Sequence, residues 1–419
     1  MIFGDTIAAI ATARGRGGVA IVRVSGPDAF LIAEKSVGLK PEVGRVQFVR
    51  FKVDEGLLLS FRSPHSYTGE DVVEFHCHGG EVTPQRVLDM VIDNGARLAR
   101  RGEFTERALI NGKLDYDQAE SVLNLIDAKT RRAADAALAG LSGRKKSAFK
   151  DIYDHALELS SQLEHALDID EGELPADFLP RLQSRILTLK AEIDDEICRA
   201  NEGRILRNGA LVVLAGPPNA GKSSLMNALL ETNRAIVSDT PGTTRDSIEE
   251  WLDIEGWPIR LVDTAGIRET ENNIEREGVK RAEDLMAEAD IILWLSASPR
   301  VADSGTSIIR ICAKCDLVRG DGLNVSSKTG EGLSELKNQI VRTLKSRLDE
   351  HEETSASDSG LAALQEAKAI LSKFKGDDLP MVLMANQVRA AAEKLAGALG
   401  VTYTEDLLKN LFSRFCVGK

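Results

Sequence analysis

Three textures of hydrophobic and polar positions succeed one another along the 419 residues. Residues 1–118 mix short β-rich runs with glycine turns. Ile21-Val22-Arg23-Val24 and Val72-Val73-Glu74-Phe75 predict strands. Val87, Leu88, Val91 and Ile92 fall on one side of a helix predicted over 84–94, and the mixture reads as a compact α+β domain. From 119 to 206 the period becomes helical, with Ala119, Val122, Leu123, Leu125 and Ile126 on one face and Leu157, Leu163, Ala166 and Leu167 on a later one. Glu171 to Pro175 breaks that pattern, and a further helix is predicted over 182–199. From 207 to 343 strands alternate with helices, the strands at 210–215, 260–262, 291–295 and 308–312. Such alternation predicts a mainly parallel sheet covered by helices on both faces. Residues 344–419 return to helical texture, with a polar linker at 351–360. Helical texture on both sides of an α/β unit predicts that 207–343 is inserted into one helical domain, made of 119–206 and 344–419. Two separate helical domains are the alternative.

Composition narrows the partners. With 43% hydrophobic and 28% charged residues the chain reads as soluble and globular, and a net charge of −12 excludes a strongly basic nucleic-acid binder while leaving room for a local basic patch. No apolar run reaches the roughly 18 residues of a membrane span. The first residues carry no basic stretch followed by an apolar one, so no signal peptide is expected and a cytoplasmic location is. Five scattered cysteines form no disulfide framework. Cys312-Ala313-Lys314-Cys315 and His76-Cys77-His78 lack the second ligand pair of a zinc site. The Arg-Gly-Gly step within Arg14 to Gly18 hints at RNA binding, although a tight turn explains a single copy more simply.

The strongest chemical signal is Gly216-Pro217-Pro218-Asn219-Ala220-Gly221-Lys222-Ser223. It satisfies the phosphate-loop pattern and lies between the apolar run 210–215 and a helical run. Backbone N–H groups and a helix N-terminus can cradle phosphates there. Lys222 suits the β/γ-phosphates, and the Ser223 hydroxyl suits Mg²⁺. Downstream, Asp263-Thr264-Ala265-Gly266 ends a strand, where Asp263 can hold Mg²⁺ through water and the Gly266 N–H can meet a γ-phosphate. Thr244, in Gly242-Thr243-Thr244-Arg245-Asp246, is the candidate second hydroxyl ligand of Mg²⁺.

This constellation resembles the translation-factor-like GTPases. Ala313-Lys314-Cys315-Asp316 stands where that family carries Asn-Lys-x-Asp, and Ser326-Ser327-Lys328 stands at its last guanine-contact loop. Asp316 would accept hydrogen bonds from guanine N1–H and its 2-amino group, which adenine lacks. Ala313 departs from the pattern. The family's Asn is expected to tether this loop to the phosphate loop, so GTP over ATP with weakened guanine binding is expected. A nucleotide site sensitive to oxidation through Cys312 and Cys315 is the second reading.

The remaining motifs are Asp5-Thr6-Ile7-Ala8-Ala9, Gly15-Arg16-Gly17-Gly18, Ser66 to Glu74, His78-Gly79-Gly80, Gly102-Glu103-Phe104-Thr105, Asn111 to Asp115 and Cys416-Val417-Gly418-Lys419. Together they closely resemble the bacterial tRNA modification GTPase MnmE (TrmE) family. The resemblance implies a multidomain α+β protein: an N-terminal α+β folate-binding and dimerisation domain, a helical domain, and an inserted α/β P-loop G domain. It implies a homodimer that modifies carbon 5 of the wobble uridine of tRNA (carboxymethylaminomethyl-type). The cofactors would be Mg²⁺, K⁺ and 5-formyl- or methylene-tetrahydrofolate, and the partner an FAD-containing protein in a hetero-oligomer.

Carried onto this chain, the GTP-binding residues are Asn219, Ala220, Gly221, Lys222, Ser223 and Ser224; Ser238, Asp239, Thr240, Pro241, Gly242, Thr243 and Thr244; Asp263, Thr264, Ala265 and Gly266; and Lys314, Asp316, Ser326, Ser327 and Lys328. Mg²⁺ would take Ser223 and Thr244. The resemblance makes Asn219 the mark of a potassium-dependent GTPase, with K⁺ held also by Ser238, Thr240 and Thr243. It assigns the water-orienting role to Glu275, which otherwise reads as a solvated helix charge. Folate would meet Arg23, Glu74, Lys113 and Lys419, of which the first three would otherwise read as surface charges. Cys416 reads equally as a catalytic thiol and as a dispensable one, and Gly418 and Lys419 exclude a prenylation motif. A ribosome-assembly GTPase switch and a structural dimer with a weakened nucleotide site are the alternatives.

Overall fold

The computed structural model describes residues 4–142, 146–169, 175, 177–233, 249–264, 284–295, 307–347, 358–373, 380–398, 412 and 415–418. They fall into two units, Met1–Leu123 with Thr402–Lys419, and Asn124–Val401.

The first unit is built on a six-stranded sheet in the order β3-β4-β5-β2-β1-β6. Its strands are β1 Ile7–Ile10, β2 Val19–Ser25, β3 Val46–Arg50, β4 Glu55–Phe61, β5 Val72–His78 and β6 Arg97–Leu98. All neighbours are antiparallel except β1 and β6, which pair parallel. Strand alternation sorts the faces. Val22, Val24, Leu58, Val73 and Phe75 point into a core closed by helices α1 Ala29–Val37 and α2 Thr83–Asp93. On the opposite face Ile7, Ala9, Ala99 and Phe104 gather under helix α3 Glu103–Ile110.

The tail belongs to this unit. Phe412 and Phe415 pack with Ala119 and Leu123 of helix α4 Tyr116–Asp127. The two rings thus pack on α4, the second helix after the sheet, in a small cluster separate from the cores on the two faces of that sheet.

A charged network ties α3 to the sheet. Arg107 is fully buried, and its Nη2 donates to Asp5 at 2.8 Å and to Glu103 at 3.1 Å. Its Nη1 reaches Glu70 at 3.1 Å, and Glu70 accepts from Ser25 Oγ at 2.7 Å. Burial alone would raise the Glu103 carboxyl, but hydrogen bonds from Arg97, the Arg100 N–H and Arg107 outweigh it and hold it at about 2 against an ordinary 4.5.

In the second unit, helices α6 Lys146–Leu167, α7 Phe178–Asn208, α10 Asp358–Leu371 and α11 Met381–Ala398 form a four-membered bundle. Leu159, Leu163, Ile186, Leu189, Leu364 and Leu395 fill its core and are all fully buried. Each such side chain contributes about 1.5–3 kcal/mol by leaving water. No helix of the described residues is long and apolar enough to cross a membrane.

Helix α7 runs through Gly209 straight into β7 Ala210–Ala215, so the α/β part enters between α7 and α10. Its sheet has the order β12-β11-β10-β7-β9-β8. The other strands are β8 Glu249–Ile254, β9 Trp257–Asp263, β10 Ile291–Leu295, β11 Ser307–Ala313 and β12 Leu323–Val325. Only the β8–β9 pair is antiparallel. Helices α8 Lys222–Asn233 and α9 Leu333–Arg347 supply Leu225, Leu229, Leu336, Ile340 and Leu344 to one face, while Leu285 and Met286 pack on the other. Helix α5 Arg131–Leu141 joins the first of these cores through Ala133, and the Arg132 guanidinium lies 4.0 Å from the Trp257 ring centroid.

The Glu103 carboxylate supplies a pH-dependent part of the first unit's stability. A carboxyl lowered from 4.5 to about 2 contributes on the order of 3 kcal/mol, fully present above pH ~4.5 and lost as pH falls towards 2. Protection factors of the 97–110 amides, measured against the intrinsic exchange rate at each pH, should fall across that window in the wild type. The Glu103→Gln protein should exchange faster already at pH 7 and show a flatter acid dependence. An identical acid profile for both proteins would rule out this role.

Candidate functional site

The nucleotide site forms where the parallel strands end. β7 lies between β10 and β9, the point at which the chain order of the sheet reverses. The carboxyl edge at such a point is a crevice. The loop Gly216–Gly221 leaves β7 there and runs into α8, whose N-terminal amides face the crevice. Gly216 has φ 145°, and a Cβ on it would stand 2.7 Å from the Leu295 carbonyl oxygen, so the loop can pass β10 only without a side chain. Asn219 occupies the left-handed region at φ 60°, which Asn tolerates better than most residues.

The polar groups converge. Lys222 is 6% exposed, and its Nζ donates to the Gly216 and Pro217 carbonyls at 3.0 Å each, bringing its charge against the loop's own backbone. Ser223 Oγ donates to Asp263 Oδ2 at 2.7 Å. This hydroxyl and carboxylate are hard oxygen donors that suit a divalent cation such as Mg²⁺. Thr264 Oγ1 donates to the Leu214 carbonyl at 2.8 Å, fixing the exit of β9 to β7.

The base-side loops meet beside this crevice. Asp316 Oδ1 accepts a hydrogen bond from Ser326 Oγ at 2.7 Å, and Ser326 is fully buried, so the carboxylate is aimed by a hydroxyl with no other freedom. Lys328 is exposed and Ser327 half-buried. Lys314, at φ 61°, donates from Nζ to the Asn219 carbonyl at 3.0 Å. The link between base loop and phosphate loop, expected to be missing because position 313 is Ala, is therefore made by the neighbouring amine. In the sequence Lys314 stands only as one of the GTP-binding residues of the Ala313-Lys314-Cys315-Asp316 loop. No pattern in the chain announces the tether, because it needs a left-handed lysine and an Asn219 carbonyl turned towards it. Cys315 is buried, and its thiol is pushed up by that burial and by the Glu331 carboxylate. Cys312 Sγ lies 3.7 Å from the Val318 carbonyl oxygen.

The first unit holds the other candidates. Arg23 and Glu74 are register partners on β2 and β5, and Arg23 Nε meets Glu74 Oε1 at 2.8 Å. They are a mutually neutralised, largely buried pair rather than solvated charges. The Arg23 guanidinium lies 5.4 Å from the Tyr67 ring centroid and 5.6 Å from that of Phe104. Tyr67 OH and Thr105 Oγ1 are 2.9 Å apart. Lys113 Nζ donates to the Pro64 carbonyl at 3.1 Å, and Asn111 Nδ2 to the Thr68 carbonyl at 2.8 Å. Loop 62–71 thereby brings Tyr67 towards Arg23 and Pro64 towards Lys113. In the sequence Tyr67 and Phe104 are only parts of longer motifs, and their role as ring partners of Arg23 is visible only once the strands pair. Cys416 is exposed. Ser238, Asp239, Thr240, Pro241, Gly242, Thr243, Thr244, Ala265, Gly266, Glu275 and Lys419 lie outside the described residues. Among the described residues no group of three or more His, Cys, Asp or Glu could hold a metal ion.

Phosphate loop, hydroxyl–carboxylate pair and buried-serine base loop on a parallel sheet define a P-loop protein of the GTPase class. The family profiles agree: that of the GTP-binding protein TrmE N-terminus matches residues 6–113, and that of the MnmE helical domain matches residues 117–416. The tRNA modification GTPase MnmE of Symbiobacterium thermophilum is 39% identical over 465 residues, covering 99% of each chain. That of Chlamydia pneumoniae is 40% identical over 448 residues and covers 100% of both, and that of Aquifex aeolicus is 37% identical over 447 residues, covering 99% of this chain and 100% of its own. A solved structure, the G domain of the T. maritima FeoB iron transporter, is 28% identical over 32% of this chain and 98% of its own, with a TM-score of 0.23. The chain belongs to the MnmE family of tRNA modification GTPases.

The tether has a measurable value. A hydrogen bond from a charged donor contributes about 1.5 kcal/mol or more, so Lys314→Ala should weaken fluorescent GDP binding about tenfold. Introducing Ala313→Asn into that background should recover part of the loss. Unchanged GDP affinity in Lys314→Ala would show that the contact does not hold the base loop.

Proposed function

We propose that this chain is a K⁺-stimulated GTP hydrolase whose cycle drives modification of carbon 5 of the tRNA wobble uridine. It acts with an FAD-containing partner protein and a one-carbon folate. The observation that carries the reading is the Ser223–Asp263 pair at the foot of α8, set in the same crevice as Lys222 and the Asp316–Ser326 pair. In hydrolysis, water attacks the γ-phosphorus, the bond to the bridging oxygen breaks, and GDP and phosphate leave. The chain's task is positioning and charge stabilisation.

Each residue has a stated part. Lys222 exchanges its loop carbonyls for phosphate oxygens. Ser223, with Thr244, would hold Mg²⁺, and Asp263 would hold it through water. Asp316 takes the two guanine donors, and Lys314 keeps the base loop on the phosphate loop. Asn219, with Ser238, Thr240 and Thr243, would hold K⁺ close to the phosphates, supplying positive charge where negative charge grows. Glu275 would accept a hydrogen bond from the attacking water.

In the first unit, Arg23, Glu74, Lys113 and Lys419 are the proposed folate residues. Tyr67 and Phe104 offer rings beside Arg23, and the Glu74 carboxylate suits the donor edge of a pterin. Homodimerisation is supported by the open apolar sheet face. Val46 and Phe48 of β3 and Leu57 of β4 point the same way, and Phe48 is 64% exposed. Such a patch marks a protein contact.

GTP turnover should be faster in K⁺ than in Na⁺ at equal ionic strength. Asn219→Ala should abolish that preference and keep nucleotide affinity, and Glu275→Ala should cut turnover by about a hundredfold with affinity intact. Equal, near-zero rates in both salts would sink the potassium mechanism. Mass analysis of wobble uridines from a strain lacking this protein should show loss of the carbon-5 substituent. Normal uridines with accumulated ribosomal precursors would instead favour a ribosome-assembly switch.

A further inference from the structure

One motif has no part in either site. Arg14-Gly15-Arg16-Gly17-Gly18 forms the connection between β1 and β2, and both arginines are exposed. The loop is held at its root, where Ala11 N–H donates to the Ile21 carbonyl at 2.7 Å and Ile21 N–H to Thr12 Oγ1 at 3.2 Å. Its far side is held too, since a Cβ on Gly79 would stand 2.2 Å from the Gly17 carbonyl oxygen. Two arginines therefore project from an anchored loop.

Topology brings other cationic groups to the same edge. β1 and β6 run parallel, so the chain leaves Ile10 and Leu98 on one side of the sheet, and Arg100 and Arg101 follow at once. The tail is fastened across this edge. Arg101 and Val417 form an antiparallel bridge, and Gly102 N–H donates to the Cys416 carbonyl at 3.5 Å. Gly418, at φ 106°, lies so close that a Cβ would be 2.1 Å from the Ile10 carbonyl oxygen. The exposed Cys416 thus sits on the edge that carries the arginines.

The charges on this edge are unequal. Arg100 is paired with Glu106 at 3.0 Å. Glu103 is buried among Arg97, Arg100 and Arg107, and Asp54 is held by His78 at 2.8 Å. Among the described residues no carboxylate pairs with Arg14, Arg16 or Arg101. On a chain of net charge −12 this is a local cationic edge in an acidic molecule, which attracts and orients a polyanion without binding nucleic acid everywhere.

We propose that Arg14, Arg16 and Arg101 form a docking surface for the phosphate backbone of the tRNA substrate, beside Cys416. The proposal rests on the tRNA reading above and adds where the tRNA lies. Arginine suits it by bidentate pairing with phosphate oxygens. Glycines around the arginines let a backbone approach closely, since Gly15 and Gly18 face open space, with no atom within 4 Å of where a Cβ would stand. Contacts of this kind fix position rather than read bases.

The test uses the full chain and a fluorescently labelled, unmodified tRNA transcript with uridine at the wobble position, with anisotropy followed from about 50 to 300 mM KCl. The variants are Arg14→Ala/Arg16→Ala, Arg101→Ala, the triple, and the triple to Lys. Arg45→Ala, on the α1–β3 connection, is the control. Each lost phosphate contact should flatten log K against log salt by about 0.7–0.9, so the triple Ala variant should lose about 2 of slope and about tenfold or more in affinity. The Lys triple should keep most of the slope. GTP turnover without tRNA should be unchanged throughout, which reports intact folding. Wild-type affinity and slope in the triple Ala variant would overturn the surface. An equal fall in Arg45→Ala would overturn it too, by showing an effect of net charge alone. Unchanged tRNA binding with lost capture of the FAD-containing partner would overturn it in favour of a protein contact. Wild-type protein that binds no tRNA would overturn both this surface and the proposed function.

Discussion

The parallel pairing of β7 between β10 and β9 is the constraint on which the nucleotide half depends. All six residues of β7 are buried. A strand buried on both faces needs every backbone group paired and helices above and below. Parallel neighbours then place all carboxyl ends on one edge. The loop after β7, the end of β9, the loop after β11 and the turn after β12 meet there because of the pairing, although 111 positions separate Gly216 from Ser327 (327 − 216). Ser223 finds Asp263, and Lys314 finds Asn219, by this geometry and not by nearness in sequence.

The N-terminal half rests on a different device. Its sheet is covered by α1 and α2 on one face only. On the other, α3 seats Phe104 on the small apolar group of Ile7, Ala9 and Ala99 and is oriented by the charged network through Arg107. Such a network is costly to bury and becomes favourable only when each member is satisfied. Asp5, Glu70 and Glu103 meet the two terminal nitrogens of Arg107, and Arg97 holds Asp5 and Glu103 in turn. The result is directional. It fixes the start of α3 and the end of loop 62–71, and with them Phe104 and Tyr67 beside Arg23. Position is gained where an apolar contact would have allowed sliding.

The helical bundle joins its pieces across the inserted α/β part. Leu163 and Leu189 precede the insertion and Leu364 and Leu395 follow it, and they share one core. The link from bundle to α/β part is α7, which runs unbroken to Gly209 and β7. Arg204 of α7 pairs with Asp290 at 2.8 Å, while Asp290 Oδ2 accepts from Leu211 N–H at 2.7 Å. One carboxylate thus fastens helix end to strand start. This is the kind of coupling a GTPase needs if nucleotide state is to be felt elsewhere.

Much of this was legible in the chain. Period-two and helical patterns predicted the mixed N-terminal sheet, the bundle helices and the parallel strands, because burial on one face imposes a repeat on the residues themselves. The phosphate loop was legible for a related reason: backbone N–H groups can close on a phosphate only where the local residues are small or tolerate φ > 0, and that requirement is written in consecutive positions. What the sequence could not decide are contacts made between distant segments. The aromatic tail looked like the end of a helical domain, and only folding showed that Phe412 and Phe415 reach back almost 300 positions (412 − 119) to pack on Ala119 and Leu123. Arg23 and Glu74 looked like surface charges, and strand register made them a pair. The base loop looked untethered at Ala313, and a left-handed Lys314 supplied the link. Local chemistry is encoded locally, whereas pairing, burial and tether are properties of the folded chain, since each depends on which distant groups arrive at the same place.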